Sequence, residues 1–131
     1  MPTWSKDFEA LSEEERAEIK AYLHDTTKTP LSDLELRAVY WLRECGFVEG
    51  ADFNWQYRIG QYVVDLLHPG DRIIELYGCG YHQHGCLGRP WWPDVIAADE
   101  RRQKRLEAAG FQFDVIWNCE DVEFRLMDLM Q

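Results

Sequence analysis

Residues 62–77 read YVVDLLHPGDRIIELY, two apolar runs rich in β-branched residues on either side of the tetrapeptide HPGD. Pro, Gly and Asp form turns, so the stretch predicts a β-hairpin. If the turn centres on Gly70, Asp65 and Glu75 lie opposite each other across the two strands. The stretch therefore predicts a β-hairpin that carries a pair of carboxylates.

The elements on either side of this hairpin follow from hydrophobic periodicity and helix-end signals. Capping boxes at Ser12 and Ser32 predict the starts of two helices, of which the second stops at Gly46. Cys45, in the last turn of that helix, is expected to be a small buried residue. The predicted order is α-α-β-β-β-α-β-α. The second helix lies between Ser32 and Gly46, and a loop is predicted at residues 78–93. The other seven elements are predicted at residues 12–25, 53–59, 62–67, 72–77, 94–109, 111–117 and 121–130.

Three strands, a crossover helix and a fourth strand predict an α/β fold with a mixed sheet covered by helices. The chain has 131 residues, enough for one domain of ordinary size, and its 46% hydrophobic residues can fill a core. Residues 1–30 are predicted to be an N-terminal helical extension of the globular unit formed by residues 31–131.

The charge distribution favours two kinds of partner. The net charge of −10 repels nucleic acid at long range. Carboxylates concentrate near the two ends, at residues 7–18 and 120–128, and suit a basic protein partner. Between them lies one basic neighbourhood that could meet a DNA backbone, formed by Arg89, Arg101, Arg102, Lys104 and Arg105.

Nothing in the sequence predicts a membrane segment or a secretion signal. No run approaches the ~18–20 apolar residues that cross a bilayer, and the first residues lack the apolar core of a signal peptide. We therefore expect a cytoplasmic protein with no membrane partner. In a reducing compartment, the 4 cysteines favour a metal site or plain packing over disulfides.

Ligands typical of zinc crowd into the loop that follows the hairpin. Zinc takes four ligands in a tetrahedron, mostly Cys sulfur and His nitrogen. A closed set of this kind predicts a structural zinc, although His82 and His84 compete for one position. The alternative is a group of buried thiols and surface histidines. The candidates are Cys79, His82, His84 and Cys86 on the loop, with Cys119 after the last strand.

The carboxylate pair predicts a second kind of metal site. Like charges that face each other across a ladder are unfavourable by about 0.2–1 kcal/mol, so Asp65 and Glu75 need a reason to be there. A bound Mg²⁺ or Mn²⁺ is such a reason, because hard cations prefer oxygen ligands and can activate water. The alternative is a carboxylate solvated at a strand end or paired with Arg58 or Arg72.

Residues 63–65, 73–86, 99–102, 110–111 and 115–120 together resemble the very-short-patch-repair (Vsr) endonuclease family and its relatives in the PD-(D/E)XK nuclease superfamily. The run from Tyr77 to His82 stands where Vsr proteins carry His-Gly-Cys-Phe-Trp-His, and Trp117-x-Cys119-Glu120 matches their pattern after the last strand. The resemblance runs from about residue 32 to residue 120. It implies a restriction-endonuclease-like αβββαβ core around a mixed four-stranded sheet, with a structural zinc.

The resemblance also implies roles for individual residues. Asp65 matches the family's metal-binding catalytic aspartate, and His82 matches its catalytic histidine, a candidate general base. That assignment leaves His84 as a zinc ligand beside Cys79, Cys86 and Cys119.

Two further acids match the family. Glu35 matches an acidic residue that supports the metal site. Asp99 matches the acidic residue of an Asp-x-x-Arg stretch, with an ordinary solvated helix position as its alternative.

Three positions depart from the Vsr pattern. Tyr77 replaces a second active-site histidine, or the lysine of the wider superfamily, and a tyrosine with a pKa of about 10 is a poor base near neutral pH. Glu75 fits an acidic position of the superfamily that Vsr proteins leave apolar. Gly80 replaces one of the aromatics that Vsr proteins wedge beside a mismatch, so T:G specificity is not implied. Tyr81, Trp91 and Trp92 could stack on bases, or pack on the zinc loop.

Two functions follow. The first is a metal-dependent DNA endonuclease, a hydrolase of phosphodiester bonds in repair or defence, which could work as a homodimer given its modest DNA footprint. The alternative is a non-catalytic, zinc-stabilised module that binds a protein or nucleic-acid partner. An enzyme requires Asp65, Glu75 and His82 to converge on one exposed point.

Overall fold

The computed structural model describes residues 10–24, 32–84, 86 and 92–130. These residues form a mixed α/β fold, in which helices flank a four-stranded sheet. The predicted connector at residues 26–30, as well as Arg89 and Trp91, lies outside the described residues. The elements are α1 Glu13–His24, α2 Asp33–Glu44, β1 Asn54–Ile59, β2 Tyr62–His68, β3 Arg72–Tyr77, α3 Cys79–His82, α4 Pro93–Ala108, β4 Gln112–Trp117 and α5 Val122–Leu129.

The sheet has the order β1-β2-β3-β4 and is mixed, as predicted. Strands β1, β2 and β3 are antiparallel neighbours, whereas β4 runs parallel to β3 after the crossover through α4. The β2–β3 register pairs His68 with Arg72 and Leu66 with Ile74, so the turn centres on Gly70. Gly70 has φ 90°, a left-handed conformation that glycine adopts without strain. The paired residues end at Leu66 and Ile74, and beyond them the Asp65 carboxylate accepts from the Leu76 amide at 2.7 Å.

Helices cover both faces of the sheet, and each face has its own core. Strand β3 is buried at five of its six positions because it lies in the middle of these layers. The larger core joins the sheet to α2 and α5 and includes Leu11, Leu36, Leu42, Phe53, Leu66, Ile74, Ile116, Val122 and Leu126. The smaller core lies on the α4 side and is built on Val64, Ile73 and Leu106, with Phe111 and Phe113 packed against it.

Capping residues fix the helix ends as the sequence predicts. The Ser12 amide donates to the Glu15 carboxylate at 3.2 Å, and the Glu15 amide donates back to the Ser12 hydroxyl at 3.1 Å. Ser32 forms the same box at the start of α2. Gly46, with φ 86°, follows the helix end. The expectation for Cys45 is wrong: its side chain is exposed, because it caps the helix outside the apolar stripe.

The predicted loop at residues 78–93 is only partly a loop. One helical turn, α3, occupies Cys79–His82, and α4 begins at Pro93, one residue earlier than predicted. A four-residue helix is too short to show a hydrophobic period, so pattern analysis missed it. Pro93 suits the first position of a helix because its missing N–H has no partner to lose there. Within the described part of the chain, no helix is both long and apolar enough to span a membrane.

Candidate metal and active site

Four soft ligands meet where β3 and β4 end. The ligating atoms of Cys79, His84, Cys86 and Cys119 all lie within 4.8 Å of one another. His84 Nδ1 is 3.5 Å from Cys79 Sγ and 3.4 Å from Cys119 Sγ. With Zn–S near 2.3 Å and Zn–N near 2.0–2.1 Å, a tetrahedron has S···N edges of about 3.5 Å. The cluster could therefore hold a metal such as zinc.

Residues around the cluster fix its backbone. The Asn118 side chain accepts a hydrogen bond from the Cys79 amide at 2.8 Å, which ties the end of β4 to the start of α3. Gln83 adopts a left-handed conformation, with φ 60°, and turns the chain towards His84. Its side chain donates to the Gly80 carbonyl at 2.7 Å and accepts from the Trp92 amide at 3.1 Å. Gln83 thus connects the cluster to the start of α4.

Two thiols of this cluster hold their protons more tightly than an ordinary cysteine does. Desolvation and hydrogen bonding with the thiols of Cys79 and Cys119 raise the pKa of Cys86 to about 11. The same two kinds of cause raise the pKa of Cys119. A metal that binds thiolates must displace these protons, so its affinity falls with falling pH.

A cavity of about 470 Å³ opens beside the cluster, on the other side of Tyr77. It collects the predicted catalytic residues from four elements: Glu35 from α2, Asp65 from β2, Glu75 and Tyr77 from β3, and His82 from α3. Helix α4 adds Asp99 and Arg102 to the wall. We refer to this space as the acidic cavity. The convergence that an enzyme requires is present in the geometry.

Asp65 and Glu75 face each other closely enough to share a hydrogen bond between their carboxyl groups. Asp65 also accepts from the Leu76 amide at 2.7 Å. Burial raises the pKa of Asp65. Burial and the nearby charge of Asp65 raise the pKa of Glu75 well above its usual value. Two carboxyls held together away from water form an oxygen-rich pair of the kind that suits a hard divalent cation.

Arg102 lies against this pair. Its Nη1 is 2.6 Å from Glu75 Oε1, and only 4% of the Glu75 side chain is exposed. The approach is an ion pair rather than an aligned hydrogen bond, because Oε1 has no donor of good hydrogen-bond geometry among the described residues. Neither Arg58 nor Arg72, the partners that the sequence suggested, takes this position. Arg72 instead binds Gln112 and lies 3.8 Å from Asp114.

Glu35 has a structural bond as well as a place in the cavity. Its carboxylate accepts from the Ser32 amide at 3.5 Å and so completes the capping box of α2. Gln56 also hydrogen-bonds Glu35, while burial and the charge of Asp65 raise the Glu35 pKa. Gln56 is buried and has φ 49° within β1, a left-handed conformation that is unusual in a strand.

His82 is held by an acid and an aromatic ring. Its Nδ1 lies 2.7 Å from Asp99 Oδ2, so Asp99 is not a solvated helix position. Its ring stacks on Tyr77, with centroids 3.8 Å apart and planes 9° apart. With Nδ1 bonded to Asp99, Nε2 is the nitrogen left to accept a proton. Burial and the charges of Glu75 and Asp99 raise the pKa of Tyr77, which keeps its hydroxyl protonated.

Trp117 connects the two clusters. It stacks on His84 at 4.1 Å and meets Tyr77 edge-on at 5.3 Å. The four rings of Tyr77, His82, His84 and Trp117 thus form one array between the soft ligands and the acidic cavity.

The aromatic and basic side chains are distributed differently from the sequence expectations. Tyr81 is 73% exposed and Trp92 is 60% exposed, so packing on the zinc loop is the wrong alternative for both. Within the basic neighbourhood, Arg102 is committed to Glu75, and Arg105 binds the Tyr62 hydroxyl at 3.0 Å. Arg101 and Lys104 are exposed on α4.

Three residues that shape the two clusters were missed by pattern analysis. Asn118 lies within the Trp-x-Cys-Glu pattern, but its side chain carried no ligand chemistry to single it out. The charge of Arg102 was seen, but its partner 27 positions earlier depends on the fold. Gln56 stands opposite Asp65 in the β1–β2 register, and only the register reveals it.

Comparisons with known proteins give one partial relative. No family model matches the chain, and no solved structure matches it. The chain is 34% identical over 68 residues to the protein named Type II nicking enzyme V.XorIIP of Xanthomonas oryzae pv. oryzae (strain KACC10331 / KXO85), which corresponds to 43% of this chain and 50% of that protein. The chain therefore spans about half the length of that relative. Over part of its length, the chain is similar to a protein named as a nicking enzyme.

Proposed function

We propose that the chain is a metal-dependent DNA endonuclease of the Vsr-like kind that hydrolyses phosphodiester bonds in repair or defence. One observation carries the proposal: Asp65, Glu75 and His82 line a single cavity, and His82 is held by Asp99. The name of the partial relative, a nicking enzyme, supports the same activity class and DNA as the substrate.

The order of the elements supports a finer fold assignment. Helix α2, strands β1 to β3, crossover helix α4 and strand β4 reproduce the αβββαβ order of a restriction-endonuclease-like core. In this proposal residues 31–131 are the nuclease domain and residues 1–30 are its helical extension. Leu11 packs in the larger core, which supports a single globular unit.

The acidic pair of Asp65 and Glu75 is the proposed site for Mg²⁺ or Mn²⁺, with Glu35 in support. Such an ion, when bound, polarises the phosphate and lowers the pKa of a bound water. The chain contributes the geometry around it. The Leu76 amide holds one oxygen of Asp65 in place. Gln56 and Ser32 hold Glu35 at the cavity wall.

His82 is the proposed general base, and Tyr77 and Asp99 position it. Its Nε2 takes the proton of the attacking water while Asp99 fixes the ring through Nδ1. Tyr77 fixes the plane of the ring by stacking. Because its pKa is raised, Tyr77 acts only as a hydrogen-bond donor and does not replace the lysine of the superfamily as a base.

The soft cluster is the proposed structural zinc site. Cys79, His84, Cys86 and Cys119 supply four ligands, so no position is left for water or substrate. Zinc at this point would hold α3, and with it His82, against the ends of β3 and β4. The soft cluster would thus support the base without taking part in the reaction.

Contact with DNA is proposed through exposed residues around the cavity mouth. Tyr81 lines the cavity and is largely exposed, so it can stack on a base. Trp92 is exposed at the start of α4, and Arg101 and Lys104 are exposed farther along the same helix. Because few cations are available to neutralise phosphates and the net charge of −10 repels DNA, we expect DNA affinity to be modest and to fall only shallowly with salt.

A plasmid-nicking assay tests the proposal. Zinc-loaded protein is incubated with supercoiled plasmid and Mg²⁺ or Mn²⁺, beside the variants Asp65→Asn and Asp71→Asn. We expect metal-dependent nicking that is lost in Asp65→Asn and kept in Asp71→Asn. The control removes the same charge from the turn that ends before β3, outside the cavity.

Absence of nicking by the folded, zinc-loaded wild-type protein would contradict the proposal. It would favour the second function, a non-catalytic module, for which Tyr77 in place of a histidine or lysine and the pairing of Glu75 with Arg102 are the supporting observations. A pull-down with the acidic ends intact or neutralised would then test for a basic protein partner.

A further inference from the structure

Arg102 is bonded in a way that a DNA-contacting arginine would not be. Its Nη1 is 2.6 Å from Glu75 Oε1, and its Nη2 donates to the Val63 carbonyl at 2.6 Å. The guanidinium lies 5.7 Å from the centroid of the Tyr62 ring, and it also hydrogen-bonds the Tyr77 hydroxyl. A planar guanidinium with several directed contacts is fixed in place, since leaving requires all of them to break together.

The positive charge of Arg102 lies against the buried carboxyl group of Glu75. Glu75 is 3% exposed, and Arg102 contacts it from α4. Helix α4 covers the face of the sheet opposite to the face that α2 covers. Asp65 lies beside Glu75 and accepts from the Leu76 amide at 2.7 Å, and it interacts with the charge of Arg102 at longer range than Glu75 does. The two carboxyl groups are therefore unequal: Glu75 is in direct contact with Arg102, whereas Asp65 interacts with that charge only at longer range.

We propose that Arg102 is a built-in counter-cation for Glu75, so that the acidic cavity binds a single divalent cation through Asp65. The inference rests on the proposed metal-dependent function and revises its metal site: of the two acids proposed there, Asp65 is the ligand and Glu75 is not. Glu75 then acts as a positioning residue, which aligns Asp65 and anchors Arg102. A second divalent ion at Glu75 is excluded because a fixed positive charge already occupies that side of the carboxylate.

The proposal also gives α4 a second function. Asp99 and Arg102 are three positions apart on this helix and so lie on the same face. One bonds His82 and the other bonds Glu75, so the helix holds the base and the carboxylate at a fixed separation. Arg102 thus anchors α4 to the sheet and also limits the acidic cavity to one divalent cation.

Direct measurement of Mn²⁺ binding tests the proposal without relying on activity. Zinc-loaded protein is titrated with Mn²⁺ and free ion is followed by electron paramagnetic resonance. We expect one Mn²⁺ per chain for the wild-type protein. Asp65→Asn should abolish this binding, whereas Glu75→Gln should weaken it by no more than about threefold, since the amide keeps the shape of the pair.

The variant Arg102→Met removes the charge and keeps most of the side-chain volume. It should raise Mn²⁺ affinity by about tenfold or more, or add a second ion, because Glu75 loses its internal partner. Arg105→Met is the matched control: it removes the same charge from the same helix, one turn away, but its contact is the Tyr62 hydroxyl. If Arg102→Met does not fold, Arg102→Met combined with Glu75→Gln removes both charges and should restore the wild-type stoichiometry.

The outcomes separate this inference from the proposed function. Equal loss of Mn²⁺ binding in Glu75→Gln and Asp65→Asn would overturn it, because Glu75 would then be a ligand. Unchanged binding in Arg102→Met, equal gains in Arg102→Met and Arg105→Met, or no Mn²⁺ binding by the wild-type protein would also overturn it. The expected Mn²⁺ profile without any plasmid nicking would support the role of Arg102 and contradict only the endonuclease.

Discussion

The soft cluster and the acidic cavity adjoin each other but are assembled in opposite ways. Three of the four soft ligands lie within eight residues of chain, on α3 and the loop after it. The residues of the acidic cavity come from α2, β2, β3, α3 and α4. A local set of ligands needs only one distant partner, Cys119, whereas a dispersed set needs the register of the whole sheet. The first cluster is therefore a property of a loop and the second is a property of the fold.

The two clusters also differ in how they are neutralised without metal. In the soft cluster the thiols of Cys86 and Cys119 have raised pKa values, and neither an arginine nor a lysine is among its four members. The acidic cavity contains Arg102, fixed against its most buried carboxylate. We therefore expect that removing zinc costs stability, and that removing a divalent ion from the cavity costs activity alone.

The largest expected effect is on the soft cluster. Cys119→Ser should abolish stoichiometric zinc and lower the free energy of unfolding by about 3 kcal/mol or more, since zinc binding in small domains is worth about 10–16 kcal/mol. Urea denaturation with a zinc assay measures both. Cys45→Ser, an exposed thiol outside the cluster, is the control. Equal losses in the two variants would show that the cluster has no structural metal.

The next effect is on the reaction and should leave stability nearly unchanged. His82→Gln should reduce the rate of plasmid nicking by about 10²–10⁴-fold, the usual contribution of a positioned general base. Asp99→Asn should reduce the rate less, because it retains a hydrogen-bonding group beside Nδ1. His68→Gln removes a histidine from the end of β2, outside the cavity, and should nick as the wild type does. A normal rate in His82→Gln would remove the base from the proposed mechanism.

The third effect is a pH dependence of stability that belongs to the acidic cavity. Glu75 has a folded-state pKa well above its usual 4.5, so the folded state holds this proton more tightly than the unfolded state. Its contribution to stability is present below pH 4.5 and is lost as pH rises through the raised pKa. Glu75→Gln should therefore gain stability relative to the wild type as pH increases above 4.5, in the absence of divalent ions.

This third measurement compares the two clusters directly. The difference between Glu75→Gln and wild type is followed by urea denaturation at several pH values, with zinc bound throughout. The contribution of the soft cluster to stability should depend on pH with the opposite sign. As pH falls, the thiols are protonated and the affinity for zinc falls. A stability difference that does not change with pH would show that Glu75 titrates as it would in the unfolded chain.

The sequence predicted the hairpin, the order of the elements along the chain and most of the soft cluster because each depends on neighbours in the chain. The turn at Gly70, the capping boxes at Ser12 and Ser32, and the spacing of Cys79, His84 and Cys86 are local signals. The turn also gave the register of the pairs from His68–Arg72 to Leu66–Ile74, whereas the direct pairing of Asp65 with Glu75 across the ladder stays a prediction.

The remaining features of the site depend on contacts between distant segments. Arg102 was interpreted as a DNA contact because charge alone does not reveal its partner, and the bond between Asp99 and His82 requires the placement of α4 over the sheet. Gln56 has no sequence signal for its left-handed conformation, since glutamine rarely adopts it. The single turn α3, which presents His82, is shorter than any periodicity can report.

The smallest effect concerns Tyr77, which belongs to both clusters through its ring and to Arg102 through its hydroxyl. Tyr77→Phe keeps the stack on His82 and the edge contact with Trp117 but loses the bond to Arg102. We expect a loss of about 1 kcal/mol in unfolding free energy, the typical value for one hydrogen bond, and a nicking rate within about threefold of wild type. Tyr77→Ala is the contrasting variant, because it removes the ring that fixes His82 and should approach the rate of His82→Gln. If Tyr77→Phe nicked as slowly as Tyr77→Ala, Tyr77 would contribute to the reaction through its hydroxyl rather than its ring. The tyrosine would then replace the missing histidine or lysine as a hydrogen-bond donor to the phosphate.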